Sequence, residues 1–264
     1  MASSDASTLL VTGATSDIGR SVAHRFARQG WTIGLLDGDA AGLRSLTEQL
    51  EGASAVIARA LDLTDEEEVQ QTVADIGEEM GGRLHVLVNA AGVMQAGRFE
   101  QLDLEAHRTL IDGNLWAMLA VTHAAFPLLR EAEEARVVSI ASASSMYGTP
   151  DLASYSAAKA GVRSLTQALN LEWAHHNIHV CDVVPPYVDA PPASPDEDGS
   201  VPVRPQRRLA PNLSPEDVAD VVVEALSGDR IHWPVGKQFR WIYRLSDVLP
   251  APVVRLLMRY VSGF

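Results

Sequence analysis

The sequence predicts an α/β fold, a doubly wound and mostly parallel sheet forming a single domain with an amphipathic helical C-terminal extension. Two observations carry this. Short apolar runs alternate with segments of helical periodicity almost to the end of the chain, and the first run enters its helix through a glycine-bearing turn. Nearly continuous, β-branched apolar runs suit strands covered on both faces. Strand–helix–strand alternation at this spacing implies parallel strands joined by right-handed crossovers.

In order, the predicted strands are Thr8–Val11, Thr32–Leu36, Ala55–Ala58, Leu84–Val88, Arg136–Ile140 and Ile178–Val184. Between and after them, Ile18–Gln29, Ala40–Leu50, Asp65–Glu79, Leu104–Leu129, Ala153–His175 and Pro215–Leu226 carry helical periodicity. Ser214 followed by Pro215 is a helix-start signal, because proline suits the first turn, where its missing N–H costs nothing. No internal repeat is visible, nor any domain boundary before residue 190. Residues 191–213 are proline-rich, polar and without periodicity. The expected organisation is a nucleotide-binding and catalytic domain over 1–230 and an extension over 231–264.

With 264 residues, 47% hydrophobic and 21% charged, the composition is that of a globular chain able to bury a sizeable core. The net charge of −13 argues against nucleic acid as a partner, since phosphate binding needs a basic face. The single cysteine, Cys181, lies in an apolar run and reads as a small core residue. The opening MASSDAS has no basic start or apolar stretch, and no apolar run approaches the ~18 residues of a spanning helix, so a cytoplasmic protein is expected. His175, His176 and His179 have no accompanying acid or cysteine set, so no metal is expected.

The chemistry centres on Ser142–Lys159, SASSMYGTPDLASYSAAK. Tyr155 and Lys159 stand at i and i+4, one turn apart on one helix face, with Ser142 thirteen positions before the tyrosine. A phenol of pKa about 10 is a poor base at neutral pH, and a neighbouring cation is expected to lower it. A serine hydroxyl at the same point steadies a carbonyl or alcohol oxygen, so the set moves a proton on and off a substrate oxygen. Alone, Tyr-x-x-x-Lys reads more simply as a solvated helix pair; the support comes from elsewhere in the chain.

The first strand leads into Thr12-Gly13-Ala14-Thr15-Ser16-Asp17-Ile18-Gly19. Such a turn permits close backbone approach and aims N–H groups at a phosphate. Asp37 ends the second strand eighteen positions after Gly19, where an acid accepts from the adenosine ribose hydroxyls of NAD and repels the 2′-phosphate of NADP. Asp62-Leu63 and Asn89-Ala90-Ala91-Gly92 follow the third and fourth strands, at the carboxyl ends where open α/β sheets bind ligands. Asn114 interrupts a long helical pattern in which asparagine is a poor helix former.

Together these residues resemble the short-chain dehydrogenase/reductase family over roughly residues 8–190. TGATSDIG looks like its cofactor loop, NAAG like its structural motif, and Asn114, Ser142, Tyr155 and Lys159 like its catalytic tetrad in order. The resemblance implies a Rossmann-type fold and cofactor contacts from Gly13, Asp17, Ile18, Gly19, Asp37, Asp62, Leu63, Asn89, Ala90, Ala91, Gly92, Tyr155, Lys159, Pro185 and Val188. It implies Tyr155 as general acid/base and Lys159 as the group that lowers its pKa and binds the nicotinamide ribose. Ser142 would polarise the carbonyl or alcohol, and Asn114 would hold a water linking Lys159 to solvent. It also implies a substrate lid at 191–213 and a homodimer or homotetramer built on the 104–129 and 153–175 helices.

Three departures stand out. Asp17 occupies the place of a loop glycine, and is expected to cap the helix start with its carboxylate turned from the pyrophosphate. After the sixth strand, Pro185-Pro186-Tyr187-Val188-Asp189-Ala190 replaces the usual Pro-Gly and threonine, leaving the Val188 N–H to hold the carboxamide. The C-terminus replaces the usual closing strand with two expected amphipathic helices, Phe239–Leu249 and Pro252–Ser262. Their apolar surface comes from Phe239, Trp241, Ile242, Leu245, Leu256, Leu257 and Tyr260. Docking on the chain's own body or a partner subunit is favoured over membrane contact through 239–262.

The resulting expectation is an NAD-dependent oxidoreductase interconverting a secondary alcohol and a ketone, working towards oxidation on a hydrophobic small molecule, steroid-like, long-chain or polyketide-like. An NADPH-dependent carbonyl reductase of the same fold is the first alternative. A non-catalytic nucleotide-binding protein is the second.

Overall fold

The structure, a computed structural model, describes residues 6–186, 213–246 and 249–262. Seven parallel strands form one sheet in the order β3-β2-β1-β4-β5-β6-β7. They are β1 (Thr8–Thr12), β2 (Thr32–Asp37), β3 (Ala55–Ala60), β4 (Val86–Asn89), β5 (Ala135–Ile140), β6 (Ile178–Val184) and β7 (His232–Pro234). The strand order reverses between β1 and β4, which pair with Thr12 opposite Asn89. Ligands of open parallel sheets bind outside the carboxyl ends at this reversal.

Helices cover both faces: α1 (Asp17–Ala27), α2 (Ala40–Gln49), α3 (Glu66–Glu79), α4 (Leu104–Ile111), α5 (Ala117–Arg130), α6 (Ala153–Glu172) and α7 (Pro215–Ala225). One core layer packs Val22 and Phe26 of α1, Leu43 and Leu46 of α2 and Val218 and Val222 of α7 on Leu9, Val11, Ile33 and Leu35. The opposite layer packs Val69, Val73 and Ile76 of α3 and Val121, Ala125 and Leu129 of α5 on Leu10, Leu36 and Leu87. Successive strand residues thus feed opposite layers, which is why the runs read as continuously apolar. Ser214 caps α7 through a reciprocal box with Asp217, with Pro215 in the first turn.

Three elements differ from the sequence expectation. The 104–129 helix is broken by a π-helical turn, Asp112–Trp116. The Asn114 Nδ2 donates to the Leu110 carbonyl at 2.9 Å, competing with the backbone ladder and widening the turn. The 153–175 helix stops at Glu172, and after a 3-10 turn Asn177 takes the left-handed conformation, φ 56°, that asparagine tolerates. The third difference is β7, three residues with a proline, too short to read as an apolar run. It continues the sheet past residue 230 and is fastened by the His232 Nδ1 to the fully buried Asp182 carboxylate at 2.9 Å.

The extension forms α8 (Lys237–Ser246) and α9 (Ala251–Ser262). Phe239 and Tyr243 of α8 are buried on the chain's own body, in a third cluster with Met118, Ala141, Val162 and Val184. Trp241 and Leu245 of α8 remain exposed. Among the described residues no helix is long and apolar enough to cross a membrane.

Candidate active site

The turn after β1 is built by backbone contact. Gly13 has φ +62°, and a Cβ there would stand 2.5 Å from the Ala91 backbone, so the turn lies directly on the NAAG segment. A Cβ on Gly19 would fall 2.2 Å from the Gly13 carbonyl oxygen. Ser16, and not Asp17, caps α1: its Oγ accepts from the Gly19 N–H at 3.1 Å. Asp17 is the exposed first residue of the helix. Ser16 stands at the position where the helix starts, so its hydroxyl and not the Asp17 carboxylate takes the capping role. Ile18 packs against the core layer beneath the turn.

Above this turn opens a cleft of ≈ 950 Å³. Of the expected cofactor residues it is lined by Gly13, Asp37, Asp62, Leu63, Ala90, Ala91 and Gly92. Asp37 accepts from the Thr15 N–H at 2.9 Å and the Asp39 N–H at 3.0 Å, locking the end of β2 to the turn. Thr64 donates through both N–H and hydroxyl to Asp62, holding that carboxyl below its usual range. Sequence reading missed Glu68, which also lines the cleft and accepts from the Asp62 N–H at 3.3 Å. Its position in the first turn of α3, behind the N-cap Asp65, was the available signal. Asn89 sits buried behind the cleft, its Nδ2 donating to Thr122 at 3.0 Å and Ser139 at 3.4 Å and tying β4 to α5 and β5.

Beyond Gly92 lies the candidate catalytic set. Ser142 follows β5, is buried, and accepts from the Ser144 N–H at 3.2 Å as cap of the 3-10 turn Ala143–Ser145. Tyr155 and Lys159 project from the first turns of α6, with the Lys159 Nζ 5.8 Å from the Tyr155 ring centre. Lys159 is buried and donates to the Ile140 carbonyl at 2.9 Å. Asn114 is held by bonds from its Nδ2 to Val93 O at 2.7 Å and Leu110 O, while its buried Oδ1 has no hydrogen-bond partner among the described residues. A Cβ on Gly92 would stand 2.7 Å from that Oδ1 and 3.4 Å from the Lys159 Nζ, so a glycine lets these two groups converge. The Pro185 carbonyl accepts from the Ala143 N–H at 2.9 Å. Val188 and residues 191–212 lie outside the described residues.

The electrostatics correct one expectation. Burial raises the Tyr155 phenol, and hydrogen bonding with Ser142 only partly offsets this. Burial also depresses Lys159, to about 8. Burial is thus the leading cause at both groups, and the Lys159 ammonium is turned to the Ile140 carbonyl. Cys181 is likewise pushed up, to about 12, as a buried core thiol. No three His, Cys, Asp or Glu among the described residues are grouped to hold a metal ion; His175 and His176 stack with ring centres 3.8 Å apart.

A cleft at the sheet reversal beside the Ser142, Tyr155 and Lys159 cluster is the layout of a dinucleotide-dependent oxidoreductase. The short chain dehydrogenase family model matches residues 7–199, and the chain belongs to that family. It is 32% identical over 222 residues to a cyclohexanol dehydrogenase of an Acinetobacter strain, covering 83% of this chain and 87% of that one. A short-chain dehydrogenase structure from Streptomyces avermitilis superposes with TM-score 0.78 at 27% identity, covering 93% and 94% of the two chains. A variant actinorhodin polyketide ketoreductase with NADPH gives TM-score 0.78 at 28% identity, covering 89% and 97%.

Proposed function

We propose that this chain is an NAD-dependent dehydrogenase interconverting a secondary alcohol and a ketone on an apolar small molecule. The observation that carries the reading is the convergence at Gly92 of the Lys159 ammonium and the unpartnered Asn114 Oδ1, next to Tyr155 and Ser142. A buried acceptor without a donor costs about 1–3 kcal/mol, so it suits a water that continues the chain from Lys159.

The residues fit a dinucleotide. The Gly13–Gly19 turn at the start of α1 would hold the pyrophosphate, and Asp37 the adenosine ribose. Asp62 and Leu63 would flank the base, with Asn89–Gly92, Pro185 and Val188 on the nicotinamide side. When bound, the nicotinamide supplies the acceptor or donor of hydride. The chain supplies the proton: the Tyr155 oxygen takes it from an alcohol or gives it to a ketone, while the Ser142 hydroxyl donates to the substrate oxygen. Lys159, titrating near 8, remains largely cationic at neutral pH and favours the phenolate as it forms. Asn114, through a water, would connect Lys159 to solvent.

Asp37, Asp62 and Glu68 give the cleft an acidic end, which supports NAD. The name of the Acinetobacter relative supports a cyclic or otherwise apolar secondary alcohol. The NADPH complex of the polyketide ketoreductase favours the second reading, carbonyl reduction with NADPH. Leu104, Trp116 and Leu171 are exposed on the helices expected to meet a second copy, which supports a homo-oligomer. A panel of secondary alcohols, followed by NADH absorbance with parent and Tyr155→Phe proteins, tests the reading. NADH formation by the parent alone is expected.

A further inference from the structure

Resting on that reading of the Tyr155 site, we infer that His107 is a positioning residue. It clasps the segment after Gly92 to the first turn of α6 and so sets where the Tyr155 phenol stands.

The start of α6 needs support from outside. Tyr155 is the third residue of that helix, in the turn whose N–H groups have no intrahelical acceptor. A polar side chain at the N-cap ordinarily holds such a turn, but the N-cap here is Leu152, which makes no side-chain bond. The chain before it bends through Asp151, in the left-handed region at φ 62°. The usual local support is therefore missing from the turn that carries the phenol.

His107, on α4, supplies a substitute. Its Nδ1 lies 2.7 Å from the Ser154 Oγ, on the residue immediately before Tyr155. Its Nε2 lies 3.0 Å from the Phe99 carbonyl oxygen, and the two rings pack with centres 4.5 Å apart. A carbonyl only accepts, so Nε2 carries the proton, and the Nδ1 of the neutral ring accepts from the serine hydroxyl. One side chain thus joins two segments that are distant in the chain.

Further bonds connect the clasped segment to the site. The Gly97 N–H donates to the Asp151 carbonyl at 2.8 Å, a second tie to the approach of α6. At the other end Val93 lines the cleft, and its carbonyl accepts from the Asn114 Nδ2 at 2.7 Å. Residues 93–99 are therefore strung between Asn114 and the turn of Tyr155. A change at His107 reaches the phenol through a single helical neighbour, Ser154. Misplacing a reacting group by about 1 Å can cost about 10²-fold in rate.

Fluorine NMR of protein labelled with 3-fluorotyrosine reads the phenol without turnover, its signal being the one lost in Tyr155→Phe. His107→Phe keeps a ring against Phe99 and loses both bonds, Ser154→Ala removes the partner hydroxyl, and His107→Gln restores an acceptor and a donor. The first two should shift or broaden the Tyr155 signal, while His107→Gln stays close to the parent. With cyclohexanol and NAD, the first two should lose about tenfold or more in kcat at unchanged NADH affinity by fluorescence, and His107→Gln should recover most of it. An unmoved Tyr155 signal in His107→Phe and Ser154→Ala overturns the proposal. So does a moved signal with kcat intact, or a rise in KM alone, which would make His107 a substrate contact. A parent without dehydrogenase activity would instead refute the proposed function, and the fluorine signal then decides the clasp by itself.

Discussion

On the proposed reading cofactor choice turns on one side chain, and Asp37→Asn probes it. The Asp37 carboxylate faces the cleft with both oxygens already accepting, from Thr15 at 2.9 Å and Asp39 at 3.0 Å. A 2′-phosphate placed against it meets a like charge. Two unit charges 4 Å apart interact by about 4 kcal/mol at an effective dielectric of 20, and by about 1 kcal/mol in water. The cleft is open, so the lower half of that range applies, about 1–2 kcal/mol against NADP. The ribose hydroxyls of NAD also gain from a charged acceptor, which is worth about 1.5–3 kcal/mol. Removing the charge should therefore narrow the NAD-over-NADP preference by about 10²-fold or more. Asparagine has one acceptor oxygen for two N–H groups, so a stability loss of about 1 kcal/mol should accompany it. Fluorescence titration with NADH and NADPH reads the ratio directly. A parent that binds NADPH at least as tightly as NADH, or an unchanged ratio in the variant, refutes the reasoning.

Lys159→Met should abolish activity yet stabilise the fold at neutral pH. Lys159 titrates near 8 in the folded chain against 10.5 unfolded, so between those values the unfolded chain binds more protons and stability rises with pH. The burden is full below pH 8, worth up to about 3 kcal/mol, and fades towards pH 10.5. Urea denaturation at pH 7 and pH 10 should thus show a variant advantage that shrinks at the higher pH; an advantage that grows with pH contradicts this. His232→Ala should cost about 3 kcal/mol, because it leaves the buried Asp182 carboxylate without its partner. Burial already raises Asp182 above 3.8, so the folded chain binds its proton more readily than the unfolded one and stability falls as pH rises from there. The deficit should be greatest at neutral pH and shrink towards pH 4, again by urea denaturation; a pH-independent deficit would locate the loss in packing instead.

The parallel sheet was legible because its strands are covered on both sides. Leu9, Leu10 and Val11 point alternately into two apolar layers, and that arrangement forces an unbroken apolar run. The edge strand β7 was not legible, since His232–Pro234 has no periodicity and is fastened by a long-range bond to Asp182. Asn114 was readable as an interruption of its helix, but besides the local bond to the Leu110 carbonyl it bonds the Val93 carbonyl, which only the fold brings to it. The order of Asn114, Ser142, Tyr155 and Lys159 was plain in the chain. The burial that raises the Tyr155 phenol was not, because it depends on how the chain packs around the start of α6. Glu68 escaped notice for a similar reason, as one acid among three in the first turn of α3.

The role of the phenol is the claim on which the mechanism depends. Removing only its oxygen, by Tyr155→Phe, leaves the ring packing and the nucleotide cleft in place. With NADH binding verified by fluorescence, the variant should retain the cofactor and lose about 10²-fold or more in turnover of a secondary alcohol, the usual worth of a positioned acid/base. Turnover equal to the parent's would contradict the mechanism outright.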